Sequence, residues 1–361
     1  LVGIAPEGLG KAVFQNSGSE AIDTAIKFIW YYHNAIGKPE KKKIIARENA
    51  YHGTGIASAS LTGLARMHMA FDLPVTDRVL RTDCPHFFKY GKEGETEEVF
   101  ATRCANNLEK LIQDEGPDTV AAFFAEPVMG AGGVIVPAAT YFEKIQKVLR
   151  EYNVLMVADE VICGFGRTGN MWGSQTFNIK PDLLTCAKAL SSSYLPISAL
   201  LISDDLYAPI RDQSGDLGGF SHGYTYSGHP VPAAVALETL KIYEERDIVG
   251  HVRRVGPIMQ AGLREFADHP LVGEVRGVGL LAGVEVMANS DNRQCFDPAA
   301  KVGPKIQALC EENGLLIRAM GDSIGFCPPL IIEEATINKM LAQFGKSLDQ
   351  ALAWTRKEGL T

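Results

Sequence analysis

Several chemistries lack support in this 361-residue sequence. No apolar run approaches the ~18–20 residues of a membrane-spanning helix. The best candidate, 183–203, is interrupted by Lys188, a run of three serines and Pro196. Seven cysteines lie scattered at positions 84, 104, 163, 186, 295, 310 and 327, and none forms a Cys-x-x-Cys pair. That odd, dispersed set argues against a disulfide framework and for a reducing, cytoplasmic setting. The eight histidines include no His-x-x-x-His or His-Glu-x-x-His spacing, so no metal site is expected. Thirty-five Lys and Arg against 43 Asp and Glu give a net charge of −8, which disfavours a sequence-independent nucleic-acid binder. There is no internal repeat, no low-complexity stretch and no signal-like n-region or h-region. The chain opens Leu1-Val2-Gly3-Ile4, which reads as a mature or partial chain rather than a precursor.

What is present is a globular composition, 46% hydrophobic and 22% charged, long enough for about two domains. Short apolar runs alternate with helical patterns over the first two-thirds, the pattern of a mostly parallel sheet with helices on both faces. Val13-Phe14 is followed by Asn16-Ser17-Gly18-Ser19-Glu20 and then by Ile22, Ala25, Ile26, Ile29 and His33 at helical spacing. The runs 121–125, 154–158 and 183–187 are continuously apolar, as in strands buried on both faces. An amphipathic helix is expected around 141–152 and a long helix from about Pro232. Beyond about residue 245 the chain mixes helices with Gly-punctuated strands at 273–286 and 315–326, which predicts a second, smaller α+β domain.

Ser17-Gly18-Ser19-Glu20 fits a capping box with Ser17 at the N-cap. Alone it marks only a well-capped helix, but Gly18 and Ser19 then sit in the first turn, where free N–H groups and the helix dipole favour a phosphate. Each of the three buried runs leads into an ionisable residue: Glu126, Asp159 and Lys188. One such residue is an ordinary solvated strand end; three together point to a ligand site at the carboxyl edge of a sheet. A rival motif, Gly164-Phe165-Gly166-Arg167-Thr168-Gly169, matches G-x-G-x-x-G and is followed by Asp182. Its dinucleotide-binding reading needs a helix opening at the third glycine. Residues 170–181 contain Gly173 and Pro181 and no helical apolar stripe, so a loop is expected.

Together these residues resemble the class III, fold-type-I, pyridoxal-phosphate-dependent aminotransferases. Asn16 through Ala21, Tyr51-His52-Gly53, Glu126-Pro127-Val128, Asp159-Glu160-Val161 through Gly169, Lys188 and His222 through Pro230 occur in family order. The resemblance spans essentially the whole chain. It implies a large cofactor-binding α/β domain over 1–245 and a small C-terminal domain over 246–361. It further implies that Lys188 is the catalytic lysine that carries the cofactor, its amine made available by burial together with a cationic cofactor ring, and that Asp159 pairs with the ring nitrogen. By the same resemblance Gly18 and Ser19 hold the phosphate, Tyr51 stacks on one ring face, Val161 packs on the other, and Glu126 supports the ring network. Thr225, with Tyr224 beside it, would reach the phosphate of a neighbouring subunit, which implies a homodimer, with a tetramer left open.

Arg318 matches the family arginine that binds substrate carboxylate, a role suited to its planar fork. Relatives acting on ornithine or 4-aminobutyrate resemble Glu-Pro-x-x-x-Glu-Gly where this chain reads Glu126 to Gly132, and Ala131 stands in place of the second Glu. The pattern looks like the ω-amino acid:pyruvate branch, with an ω-amino acid or primary amine as donor, Tyr51 lining the substrate side, and pyruvate as acceptor. A 4-aminobutyrate or ornithine transaminase using 2-oxoglutarate is the alternative, and a catalytically silent binding protein on the same fold is the alternative outside the class. Only 15 residues precede Asn16, fewer than the resemblance implies, so a preceding pocket-lining segment is expected to be missing.

Overall fold

The computed structural model describes residues 1–290 and 292–361, which divide into two compact units. The first holds 1–130, 137–165 and 171–246; the second holds 131–136, 166–170 and 247–361. The short segments 131–136 and 166–170, placed in the large domain by a single cut near 245, thus pack with the C-terminal residues.

In the first unit, β1 (Lys11–Gln15), β2 (Lys43–Arg47), β3 (Val79–Thr82), β4 (Val120–Ala125), β5 (Leu155–Asp159), β6 (Leu183–Cys186) and β7 (Ser198–Ile202) form one sheet in the order β1-β7-β6-β5-β4-β2-β3. Only β7 runs against the others, pairing antiparallel with both β1 and β6. The carboxyl ends of β1, β2, β4, β5 and β6 therefore meet at one edge of the sheet. The continuous apolar runs are buried on both faces. Adjacent residues of β4 show this directly: Phe123 packs with the helices Glu97–Glu115 and Tyr141–Glu151, and Phe124 with α1 (Gly18–Ala35) on the other side. Residues 164–169 form an irregular loop with no helix opening at Gly169.

The second unit carries a four-stranded antiparallel sheet, β10-β11-β9-β8, made from β8 (Val272–Val278), β9 (Leu281–Val286), β10 (Arg318–Met320) and β11 (Ser323–Phe326). Helices Ile248–Arg264 and Glu334–Lys357 pack beside it, with Phe344 edge-on to Phe326 and Phe266 at centroid distances of 4.9 and 5.3 Å. Among the described residues, no helix is long and apolar enough to cross a membrane and no cluster could hold a metal ion.

The apolar stripe of α1 buries Ile22, Ala25, Ile26, Ile29 and also His33, whose Nε2 lies 3.4 Å from the Ala121 carbonyl. Burial holds the His33 imidazole neutral and lowers its pKa from 6.5 to about 4. The unfolded chain binds a proton near pH 6.5 that the folded chain refuses until about pH 4. Stability is therefore lost as pH falls through that window. Thermal denaturation of wild type and His33→Leu between pH 7 and 4.5 checks this: wild type loses about 2 kcal/mol more than the variant over the interval.

Candidate active site

The site starts where β1 hands over to α1. Ser17, extended at φ −148°, caps the helix by accepting the Glu20 N–H at 3.2 Å. The reciprocal arm differs from a simple capping box. The Glu20 carboxylate reaches one residue further back and takes the Asn16 N–H at 2.7 Å and its side-chain amide at 3.0 Å. The N–H groups of Gly18 and Ser19 remain as first-turn donors at the positive end of an 18-residue helix. A Cβ on Gly18 would sit 3.2 Å from both Val161 methyls, so glycine keeps this turn against the β5 loop.

A second loop, after β2, is held through its backbone amides. Tyr51 N–H donates to Glu126 Oε1 at 3.1 Å, His52 N–H to Thr62 Oγ1 at 3.0 Å and Thr54 N–H to Ser19 Oγ at 3.0 Å. Asp23 of α1 accepts the Ser58 N–H at 2.7 Å, capping the short helix α2 (Ile56–Leu61) whose own N-cap, Gly55, has no side chain. Gly53 has φ +135°, and a Cβ there would overlap Ser19 Oγ at 2.6 Å. Glu126 spends its other oxygen on Gly130 N–H at 2.9 Å, and its carbonyl accepts from buried Arg47 at 2.6 Å. It is thus the clamp between two loops, and burial raises the pKa of its carboxyl.

Asp159, only 4% exposed, is the last residue of β5. Its Oδ1 accepts from Val161 N–H at 3.1 Å and from the Thr185 hydroxyl at 3.4 Å; its Oδ2 lies 2.8 Å from His52 Nδ1. A buried carboxylate facing an imidazole fixes the tautomer, with Nδ1–H donating. The neighbouring Glu160 carboxylate turns elsewhere, accepting the Gly173 and Ser174 N–H groups at 2.9 and 2.5 Å, and burial pushes its pKa up to about 7.

Lys188 is not the residue immediately after the strand. β6 ends at Cys186, and Lys188 opens a 3-10 turn with φ +42°. Left-handed backbone at a lysine carries strain of order 1–3 kcal/mol, which persists at functional sites because its surroundings enforce it. Ser192 and Ser193 repeat that conformation at φ +50° and +61°. The residue is exposed in the chain by itself, so burial by this chain alone does not account for an available amine.

Gly18, Ser19, Tyr51, Glu126, Asp159, Val161 and Lys188 line one cavity of about 440 Å³. Tyr224 and Thr225 do not line it; Thr225 sits on an exposed turn. Arg318 is exposed on β10 of the second unit. The sequence reading missed the role of His52, although it sits inside the quoted Tyr51-His52-Gly53. It also missed Ser191 and Ser193, which line the cavity and had registered only as a break in an apolar run.

The family description Aminotransferase class-III matches residues 1–348. Gamma aminobutyrate transaminase 3, chloroplastic, of Solanum lycopersicum is 56% identical over 340 residues, covering 94% of this chain and 65% of that protein. The chain therefore spans about two-thirds or less of that relative's length. Gamma aminobutyrate transaminase 2 of the same plant is 52% identical over 94% of this chain and 74% of its own. Among solved structures, a transaminase with L-Ala is 57% identical with a TM-score of 0.96, covering 98% of this chain and 83% of its own. An omega transaminase from Pseudomonas jessenii in complex with PMP is 51% identical with a TM-score of 0.96, covering 98% and 78%.

Family members use pyridoxal phosphate. The residues here fit that group: two free helix N–H donors beside glycines that keep a cradle open, a buried carboxylate on the cavity lining, and a lysine on the same lining. His52 should matter through Asp159. Replacing His52 with Phe removes a hydrogen bond to a buried charge, so pyridoxal phosphate should bind roughly 10- to 100-fold more weakly. Titration of the cofactor into purified variant checks this, and Asp159→Asn should bind at least as weakly.

Proposed function

The chain belongs to the class III aminotransferase family, and from that premise we propose that it moves an amino group from an ω-amino acid or primary amine to a keto acid, with pyruvate as the acceptor. The observation carrying the proposal is the convergence of Lys188, in strained backbone, with Asp159 and the α1 N-terminus around one cavity.

Pyridoxal phosphate, when bound, supplies a reactive carbonyl and an electron-accepting ring. The chain's residues divide the remaining work. Gly18 and Ser19 would hold the phosphate with backbone N–H groups at the helix N-terminus. Asp159, held by the Val161 N–H and the Thr185 hydroxyl on Oδ1 and by His52 on Oδ2, would hold the proton on the ring nitrogen. Tyr51 and Val161 would flank the ring, with Tyr51 kept in place by Glu126. Lys188 Nζ would carry the proton at the reacting carbon. Thr225 would serve the phosphate of a second copy, making a homodimer the working unit, with a tetramer left open.

Arg318 has no ion-pair partner among the described residues, and Ala131 supplies no carboxylate where 4-aminobutyrate and ornithine relatives resemble Glu. An unpaired arginine suits a site that meets a carboxylate on the acceptor and is free of one otherwise. The names of the relatives support 4-aminobutyrate as one donor of the ω-amino class. They leave the acceptor to be measured, so a 4-aminobutyrate transaminase using 2-oxoglutarate is the second reading. They also bear on location. A plastid or mitochondrial setting fits seven unpaired cysteines as well as the cytoplasm does and matches names marked chloroplastic and mitochondrial.

Lys188→Ala should lower turnover by roughly 10³-fold or more, since it removes the proton carrier. Full activity in that variant would mean a differently built site, and no turnover in the unaltered protein loaded with cofactor would favour the silent reading. Initial rates with 4-aminobutyrate and either keto acid decide the acceptor: kcat/KM should be higher for pyruvate, and a clear preference for 2-oxoglutarate would overturn the pyruvate assignment.

A further inference from the structure

The segment leading to Tyr224 and Thr225 is pinned to the flank of α1. Phe220 packs edge-on against Phe28 and Tyr31, with ring centroids 4.8 and 5.1 Å apart. Two residues later His222 lies between two α1 side chains, its Nδ1 2.8 Å from Lys27 Nζ and its Nε2 3.1 Å from Thr24 Oγ1. Thr24 and Lys27, three apart on the helix, share that face. An ammonium can only donate, so Lys27 settles the imidazole tautomer: Nδ1 keeps its lone pair and Nε2–H donates to Thr24. Burial and the adjacent Lys27 charge lower the His222 pKa, favouring the neutral ring this bridge needs.

Beyond Tyr224 the chain closes a turn. Tyr224 N–H donates to Ser227 Oγ at 3.1 Å and Ser227 N–H to the Tyr224 carbonyl at 3.0 Å, leaving Thr225 and Tyr226 at the exposed tip. Among the described residues Thr225 has no such anchor of its own, and its position is inherited from Tyr224. Resting on the reading that Thr225 serves the phosphate bound by a second copy, we infer that His222 is a positioning residue. The bridge Lys27–His222–Thr24 fixes the segment that leads into the turn presenting Thr225. It gives His222 a role in cofactor retention at a site that its own cavity does not contain.

The test measures the dissociation constant of pyridoxal phosphate for the full-length holoenzyme and its variants. Thr225→Ala should weaken binding roughly 10-fold, as for one hydrogen bond to a charged group. His222→Leu should weaken it by a similar factor, and the double variant should be no worse than Thr225→Ala alone. His222→Gln, which can still accept from Lys27 and donate to Thr24, should stay near wild type. Lys27→Met, at an exposed position, repeats the test if His222→Leu does not fold, and should weaken binding in the same direction. Additive losses in the double variant, or His222→Leu binding like wild type while Thr225→Ala does not, would overturn the positioning role. An unchanged Thr225→Ala would instead remove the cross-copy reading on which it rests.

Discussion

The Asp159–His52 contact is the interaction from which the rest of the site follows. A carboxylate almost fully removed from water is costly unless its charge is answered. Here one oxygen is met by the Val161 N–H and the Thr185 hydroxyl and the other by His52 at 2.8 Å. His52 arrives from the loop after β2, two strands away across β4. Satisfying Asp159 therefore fixes that loop over the sheet edge, and fixing the loop places Tyr51. Glu126, Thr62, Ser19 and Asp23 each take one of its amide hydrogens, so the same contact also couples the loop to α1.

Sheet topology makes this arrangement possible. Because only β7 runs against its neighbours, five strands deliver their following residues to one edge. Each brings a different chemical group: first-turn N–H donors after β1, an aromatic loop after β2, the Glu126 clamp after β4, a carboxylate on β5 and an amine after β6. Rigid, doubly buried strands can hold such groups to a fraction of an ångström, which exposed loops cannot. The left-handed backbone at Lys188, Ser192 and Ser193 lies in the segment that follows β6.

The periodicity of the sequence was enough to read the parallel sheet, the α1 stripe down to His33 and the loop nature of 164–169, because burial on two faces and helical spacing leave local marks. Gly18, Ser19, Asp159 and Lys188 could be singled out because each lies close to a strand end or a helix cap. His52 was not, since its partner is 107 residues away and nothing local distinguishes it from a packed histidine. The shift of the Glu20 arm to Asn16, the exposure of Lys188 and the packing of segments 131–136 and 166–170 with the C-terminal unit likewise depend on tertiary contacts.

The central claim is that these edge residues form one pyridoxal-phosphate site whose covalent anchor is Lys188. Borohydride reduction of the holoenzyme followed by peptide mass mapping tests it most directly. The account predicts a phosphopyridoxyl modification on the peptide containing Lys188 and on no other lysine. Modification at a different lysine, or none in protein loaded with cofactor, would contradict it.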